Sequence, residues 1–180
     1  MLPEKANETL VINFFAGPGA GKSTLSRAVS AELSMRGYLS EYVSEYAKDL
    51  TWEKRYKTFE DQIYIFGKQL HRFHRLLGQV TLFTTDSPLL NSIVYGDQIK
   101  SDYFKPLVLE IFNSMNNLNI FLNRVKKYEP KGRNQTEEES KQLDNKIKDI
   151  LDMYEIPYIE FEGKRENVEK ITNIAEKLLN

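Results

Sequence analysis

The sequence predicts a three-layer α/β sandwich, a parallel sheet of about five strands with helices on both faces, formed as one domain over residues 1–180. Three observations predict it. Short apolar runs of strand length alternate with longer stretches whose apolar residues recur at three- and four-residue spacing. A glycine-rich turn follows directly on the first apolar run and opens a helical pattern. No repeat, low-complexity tract or Pro/Gly/Ser-rich linker divides the 180 residues, a length that one core can hold without disulfides.

Taken in order, Leu10 to Phe15 reads as a buried strand ending at the turn. From Lys22 onward Leu25, Ala28, Val29 and Leu33 share a helical face, and Gly37 stands where a C-terminal cap belongs. Residues 38–45 read as a second strand. Phe59 to Leu77 is helical, with Ile63, Phe66, Leu70 and Phe73 as its apolar face. Val80 to Thr85 is a third strand that stops at Asp86, and Pro88 suits the first turn of a helix from Leu89 to about Tyr95. Tyr103 to Met115 is another helical stretch, and Leu118 to Leu122 a fourth strand. A basic loop runs from Arg124 to Arg133, after which Thr136-Glu137-Glu138-Glu139 forms a capping box for a helix to about Met153. Pro157 to Phe161 is the last strand and Asn167 to Leu179 the last helix.

Composition narrows the function classes. A formal net charge of -1 gives no whole-chain polyanion signature, so contact with nucleic acid has to use a local basic patch. The absence of cysteine removes disulfides, thiolate zinc sites and cysteine nucleophiles together, and leans toward a reducing compartment. The N-terminus lacks the basic region and apolar run of a signal peptide, and no apolar stretch approaches the roughly 20 residues that span a bilayer. The expectation is a soluble cytoplasmic protein. Asn-x-Thr triplets at Asn7 and Asn134 read as chance in such a chain.

The turn itself is Ala16-Gly17-Pro18-Gly19-Ala20-Gly21-Lys22-Ser23, followed by Thr24. Small residues let successive backbone N–H groups turn inward around phosphate oxygens, and the following helix presents its positive end to the anion. Lys22 can reach the β- and γ-phosphates and the Ser23 hydroxyl can hold Mg²⁺. This is a phosphate-binding loop, or P-loop, in relaxed form, since Ala16 occupies the position where the strict pattern has glycine. It predicts a P-loop NTPase fold with ATP and Mg²⁺ as ligands.

Two acids and a basic loop give the chemistry a direction. Asp86 ends the third strand, where its carboxylate can orient the metal's water shell or polarise an acceptor hydroxyl; it can equally cap the next helix. Glu45 ends the second strand, on the edge that faces the ligand crevice in doubly wound sheets, and is a candidate base or a solvated charge. The loop Arg124 to Arg133 carries five cations and one acid. It sits where a lid, over about residues 124–136, can cover bound triphosphate, with Arg133 first and Arg124 second as stabilising cations. A solvated basic loop is the plainer reading.

These residues together resemble the small P-loop kinases, and specifically the AAA-type family related to nicotinamide riboside kinase and common among bacteriophage proteins. The likeness covers roughly Leu10 to Leu179. Glu45 and Asp86-Ser87 are also similar in position to residues of the deoxynucleoside kinases. That resemblance implies that Glu45 deprotonates the acceptor hydroxyl and that Gln62, on the next helix, reads a base. Glu45 is followed by Tyr46 where those kinases have proline, and Asp86 by Ser87-Pro88 where they have arginine. The family also implies a host cytoplasm if the chain is phage-encoded.

Weaker groupings complete the reading. Tyr42, Tyr46, Trp52, Tyr56, Phe59 and Tyr64 cluster near the expected acceptor and can stack on a base, Tyr46 among them, though core and rim packing explains them as well. His71 and His74 share a helical face without a third metal ligand. Lys54, Arg55 and Lys57 can meet a phosphate on the acceptor or lie in solvent. The expected activity is transfer of the γ-phosphate of ATP to a hydroxyl of a nucleoside, nucleotide or related small acceptor. Alternatives are a hydroxymethylated base within DNA as acceptor, and an ATPase or switch acting on a protein partner.

Overall fold

A computed structural model describes residues 8–125, 129 and 136–180 of the chain. Five parallel strands, β1 (Leu10–Phe15), β2 (Ser40–Val43), β3 (Leu82–Thr85), β4 (Asn116–Asn123) and β5 (Ile159–Glu162), form one sheet in the order β2-β3-β1-β4-β5. Among the described residues there are seven α-helices, six in the connections and the last after β5: α1 (Lys22–Met35), α2 (Tyr46–Trp52), α3 (Gln62–His74), α4 (Asn91–Tyr95), α5 (Phe104–Asn113), α6 (Glu137–Met153) and α7 (Asn167–Leu179). Among the described residues no helix is long and apolar enough to cross a membrane.

β1 is the centre of the molecule. All six of its residues are buried, and it pairs with β3 on one side and β4 on the other. Because side chains alternate across a strand, it feeds two cores. Leu10, Ile12 and Phe14 pack with Leu25, Val29 and Leu33 of α1 and Ile171 and Ala175 of α7. Val11 and Phe15 pack on the opposite face with Phe66 and Phe73 of α3, Val108 and Phe112 of α5 and Leu151 of α6. The aromatic mass lies on that second side, where Phe73 meets Phe83 edge-on at 4.9 Å.

Between Val11 and Phe15 the same face carries a fully buried Asn13. Its Nδ2 donates to Asn117 Oδ1 at 2.9 Å and to Asn119 Oδ1 at 3.0 Å, and Asn119 Nδ2 donates on to Pro157 O at 3.0 Å. This amide ladder crosses the β1–β4 pair at the register Asn13↔Asn119. A slip of β1 by one residue breaks both Asn13 bonds inside a low-dielectric layer, so the ladder fixes the register that apolar contacts alone leave softer.

Local signals act where the sequence places them. Gly37, at φ 93°, follows α1, with Tyr38 N bonding to Leu33 O at 3.1 Å. Thr136 and Glu139 form a reciprocal capping box that starts α6. Three expectations change. β2 is shorter than residues 38–45, and Glu45 stands as N-cap of α2, a helix that seven residues rich in aromatic and β-branched types conceal. The helix expected from Phe59 begins at Gln62, after a 3₁₀ turn over Tyr56–Glu60, because the Asp61 side chain caps it by accepting from Tyr64 N at 3.0 Å. Its buried stripe is Gln62, Ile65, Phe66, Gln69 and Phe73, so Ile63, expected on the apolar face, is 58% exposed.

Asn13→Ala leaves the Asn117 and Asn119 oxygens without their donor. The expected cost is about 1–3 kcal/mol of unfolding free energy, read by urea denaturation, with the urea dependence itself unchanged.

Candidate active site

The turn after β1 wraps its backbone around an open centre and enters α1 at Gly21, whose φ of 98° places it in the left-handed region as N-cap. Lys22 lies back over the loop, donating from Nζ to Ala16 O at 2.7 Å and Gly17 O at 3.1 Å. Burial pushes its ammonium pKa down, while Glu45, Asp86 and Asp144 hold it up and Arg124 lowers it further.

The loop is held from behind by α6. Gly17 N donates to Asp144 Oδ1, and Arg124 joins Asp144 Oδ2 at 2.8 Å to Pro18 O at 2.6 Å. The approach is tight: a Cβ on Gly17 meets Ser140 O at 2.3 Å. Glycine is therefore required sterically at the second position of the loop. Ala16, by contrast, turns into the α1/α7 core at 2% exposure, where a methyl group is welcome. Arg124, expected in a lid, sits instead at the end of β4 as a clamp on the loop, and only 10% of its side chain is exposed. Arg133, with Lys126, Lys127 and Lys131, lies outside the described residues.

Asp86 links the loop to β2. At 2% exposure its carboxylate accepts the Ser23 hydroxyl on Oδ2 and Glu45 N, at 3.1 Å, on Oδ1. The sheet order explains this reach, since β3 lies between β1, which leads into the loop, and β2, which leads to Glu45. Gln69 secures the other side of the same turn: its Oε1 accepts from Tyr46 N at 2.9 Å and its Nε2 donates to Ser44 O at 3.3 Å. Arg72 adds bonds to Ser44 O and Ser44 Oγ, both 2.9 Å, and an ion pair with Asp49. Burial raises the Glu45 carboxyl above the ordinary glutamate range; Asp86 adds to the rise, and Lys22 opposes it.

A cavity of about 370 Å³ opens in front of these groups and is lined by Lys22, Ser23 and Glu45 at the loop end and by Phe59, Gln62 and Tyr95 deeper in. Gln62 is 9% exposed and its amide nitrogen bonds to Phe59 O at 2.6 Å. Gly19, Gly21 and Thr24 also line the cavity, as does Pro18, while Ala20 is buried behind the loop. Tyr46 is not brought to it. Its ring lines a second hollow with Tyr42 and Arg72, and its hydroxyl bonds to that of Tyr64 at 3.1 Å. Trp52 and Tyr56, grouped with it in sequence, are 63% and 57% exposed and belong to no core. Lys54, Arg55 and Lys57 do not line the cavity either, and Arg55 pairs with Glu53 at 3.4 Å.

Sequence reasoning missed Asp144, Gln69, Arg27 and Lys48. Asp144 carries no local motif, because the loop residue it holds, Gly17, lies 127 positions upstream. Gln69 announces itself only as a polar residue at the spacing of a buried stripe. Arg27 and Lys48 each follow a singled-out residue, Ser23 or Glu45, by about one helical turn, and that spacing was the available signal.

Two outcomes are expected. Gly17→Ala drives a Cβ into the α6 backbone and destabilises the chain by about 1–3 kcal/mol, measured by denaturant unfolding. For Glu45, a raised folded-state pKa means that the folded chain keeps a proton the unfolded chain has released. That contribution to stability is present below the ordinary glutamate value and is lost as pH rises through the raised one. Glu45→Gln removes the loss, so its melting temperature relative to the parent climbs as pH rises from the ordinary glutamate value through the raised one, and the two chains converge in acid.

With this geometry in view, likeness to known proteins can be placed. Thymidylate kinase from Ehrlichia chaffeensis superposes with a TM-score of 0.58 at 10% identity, over 96% of this chain and 98% of that one. Deoxyadenosine kinase from M. mycoides with bound dATP gives 0.52 at 20% identity, over 94% and 99% respectively. The same enzyme with its products gives 0.54 at 21% identity, over 93% and 99%. Identities this low establish the shared α/β P-loop fold. No curated protein matches the chain at the level of sequence. A sequence model of the AAA domain matches residues 11–169, from the first strand into the last helix, and the chain belongs to that AAA domain family.

Proposed function

We propose that the chain is an ATP-dependent kinase that transfers the γ-phosphate to a hydroxyl of a small nucleoside- or nucleotide-like acceptor. One observation carries the reading: a single cavity holds Lys22 and Ser23 of the phosphate loop together with the carboxyl of Glu45, with room beyond them for an acceptor. The fold shared with a thymidylate kinase and a deoxyadenosine kinase supports an acceptor of that kind. The inclusion of nicotinamide riboside-like acceptors in this class is part of the same proposal.

Roles follow from placement. Backbone N–H groups of residues 19–24 and the N-terminus of α1 bind the β- and γ-phosphates, and Lys22, released from Ala16 O and Gly17 O, takes phosphate oxygens in their stead. Glu45, held by Asp86 and Gln69, accepts the proton of the acceptor hydroxyl as that oxygen bonds to the γ-phosphorus and the bridging oxygen departs with ADP. Its raised pKa makes it a stronger base than an exposed glutamate. Gln62 and Phe59 offer an amide and a ring to the far end of the acceptor. Arg133 is assigned to the transferring phosphoryl.

The hydroxyl of Ser23 and the carboxylate of Asp86, bonded to each other at the loop edge, are hard oxygen donors and fit Mg²⁺. Among the described residues no group of three or more His, Cys, Asp or Glu side chains can hold a metal, which suits an ion that keeps waters and phosphates as its other partners. Held by Ser23 and Asp86, Mg²⁺ would supply positive charge that offsets the negative charge developing on the phosphate oxygens.

The test is mass spectrometry of products after incubation with Mg·ATP and pooled nucleosides, nucleotides and hydroxymethylated DNA. A small acceptor gaining one phosphoryl group is the expected result, and Lys22→Ala is expected to lower the rate by about 10²–10³ while remaining folded by circular dichroism. Label appearing only in DNA moves the reading to a DNA-borne base. ATP hydrolysis that no acceptor alters, with nucleotide-dependent assembly, replaces it with a switch acting on a protein partner.

A further inference from the structure

The acceptor cavity is unevenly charged. Its lining includes three cations, Lys22, Arg27 and Lys48, against one carboxylate, Glu45. Lys22 belongs to the phosphate loop. Arg27 and Lys48 have no such assignment, and they come from different elements: Arg27 from α1, one turn beyond Ser23, and Lys48 from the first turn of α2, just past Glu45.

Among the described residues neither of them forms an ion pair. That sets them apart from Arg36, Arg55, Arg72 and Arg124, each of which holds a carboxylate within 4.0 Å. The guanidinium of Arg27 lies over the Tyr42 ring at 4.9 Å. This cation–π contact holds the guanidinium through its attraction to the ring and does not consume its N–H groups, which can still donate to oxygen acceptors. Three cations against one carboxylate in one concave space leave a net positive lining, which favours an anionic occupant. The remaining lining, Thr51, Phe59, Gln62 and Ser92, is neutral and suits an uncharged ring or sugar.

We propose that the acceptor carries a phosphomonoester of its own, held by Arg27 and Lys48, so that the preferred substrates are nucleoside monophosphates or similar phosphorylated alcohols rather than neutral nucleosides. Charge matching favours the phosphomonoester over a carboxylate, because a dianion balances two cations and a carboxylate balances one. The inference rests on the reading of this cavity as the acceptor site. It moves acceptor recognition away from Lys54, Arg55 and Lys57, the cations the sequence offered for that task, to a pair on α1 and α2.

The experiment has a binding arm and a turnover arm, both on the full chain. Saturation-transfer NMR without ATP compares a set of nucleoside 5′-monophosphates with the matching nucleosides and with nucleoside 5′-carboxylates. The monophosphates are expected to bind at least about tenfold more tightly than either. That preference should collapse towards unity in Arg27→Gln/Lys48→Gln, and in the single Lys48→Gln variant should the double one fold poorly. Turnover with Mg·ATP should show the same ratio in kcat/KM. Nucleosides that bind as tightly as their monophosphates, or a preference that survives both substitutions, overturn the proposal. If monophosphates bind through Arg27 and Lys48 but no acceptor is phosphorylated, the anion site stands and the kinase reading falls. If nucleosides and their monophosphates are phosphorylated with equal kcat/KM by parent and variant alike, the kinase reading stands and the anion site falls.

Discussion

The carboxylate of Asp86 is a buried charge that touches two strand ends at once, and much of the site depends on that placement. Burying a carboxylate is costly unless its oxygens are bonded, and here one oxygen takes a loop hydroxyl and the other a backbone N–H beside Glu45. The bonds tie the phosphate loop to the turn that carries Glu45, between β2 and α2. They are possible only because β3 is inserted between β1 and β2 in the sheet. The strand order is thus a chemical statement as well as a topological one.

Around that link the chain builds a second tier of support with neutral groups. Gln69 holds the backbone on both sides of Glu45, and the asparagine ladder holds β1 to β4. Both use amides in buried positions where apolar side chains are ordinary. Gln69 and Asn119 are bonded at both amide ends, and such a group resists sliding, because a shift leaves it unpaired in a medium that cannot replace the lost bond. Apolar packing sets how well the sheet holds together, and these amides set where its strand ends lie.

The sequence made the architecture legible because its signals are local. A strand ending in glycines, a capping box at Thr136 and a proline after Asp86 each act within a few residues; all five expected strands are present, with β2 shorter than read, and most helices stand within a few residues of their expected places. The misplacements have a common cause. α2 is too short to show a period, and the phase of α3 is set by a side-chain cap at Asp61 and by two glutamines facing the cavity, so a count of apolar residues picked Ile63 for the wrong face. At the site, Lys22, Ser23, Glu45 and Asp86 could be named in advance from a motif or a strand end, and Gln62 from the resemblance to deoxynucleoside kinases. The partners Asp144 and Arg124 are joined through a fold that brings residues 17, 124 and 144 together, and no window of sequence contains that contact.

The contact of Gly17 with Ser140 bears on how relatives of this chain are to be recognised. A pattern that demands glycine at the head of the loop rejects this sequence, although the head residue here only fills a hydrophobic corner. The residue under steric obligation is the next one, because a helix from the far end of the chain runs across it. A search that lets the first place vary among small residues, keeps glycine at the second and asks for an aspartate downstream on a capped helix would follow the contact rather than the consensus.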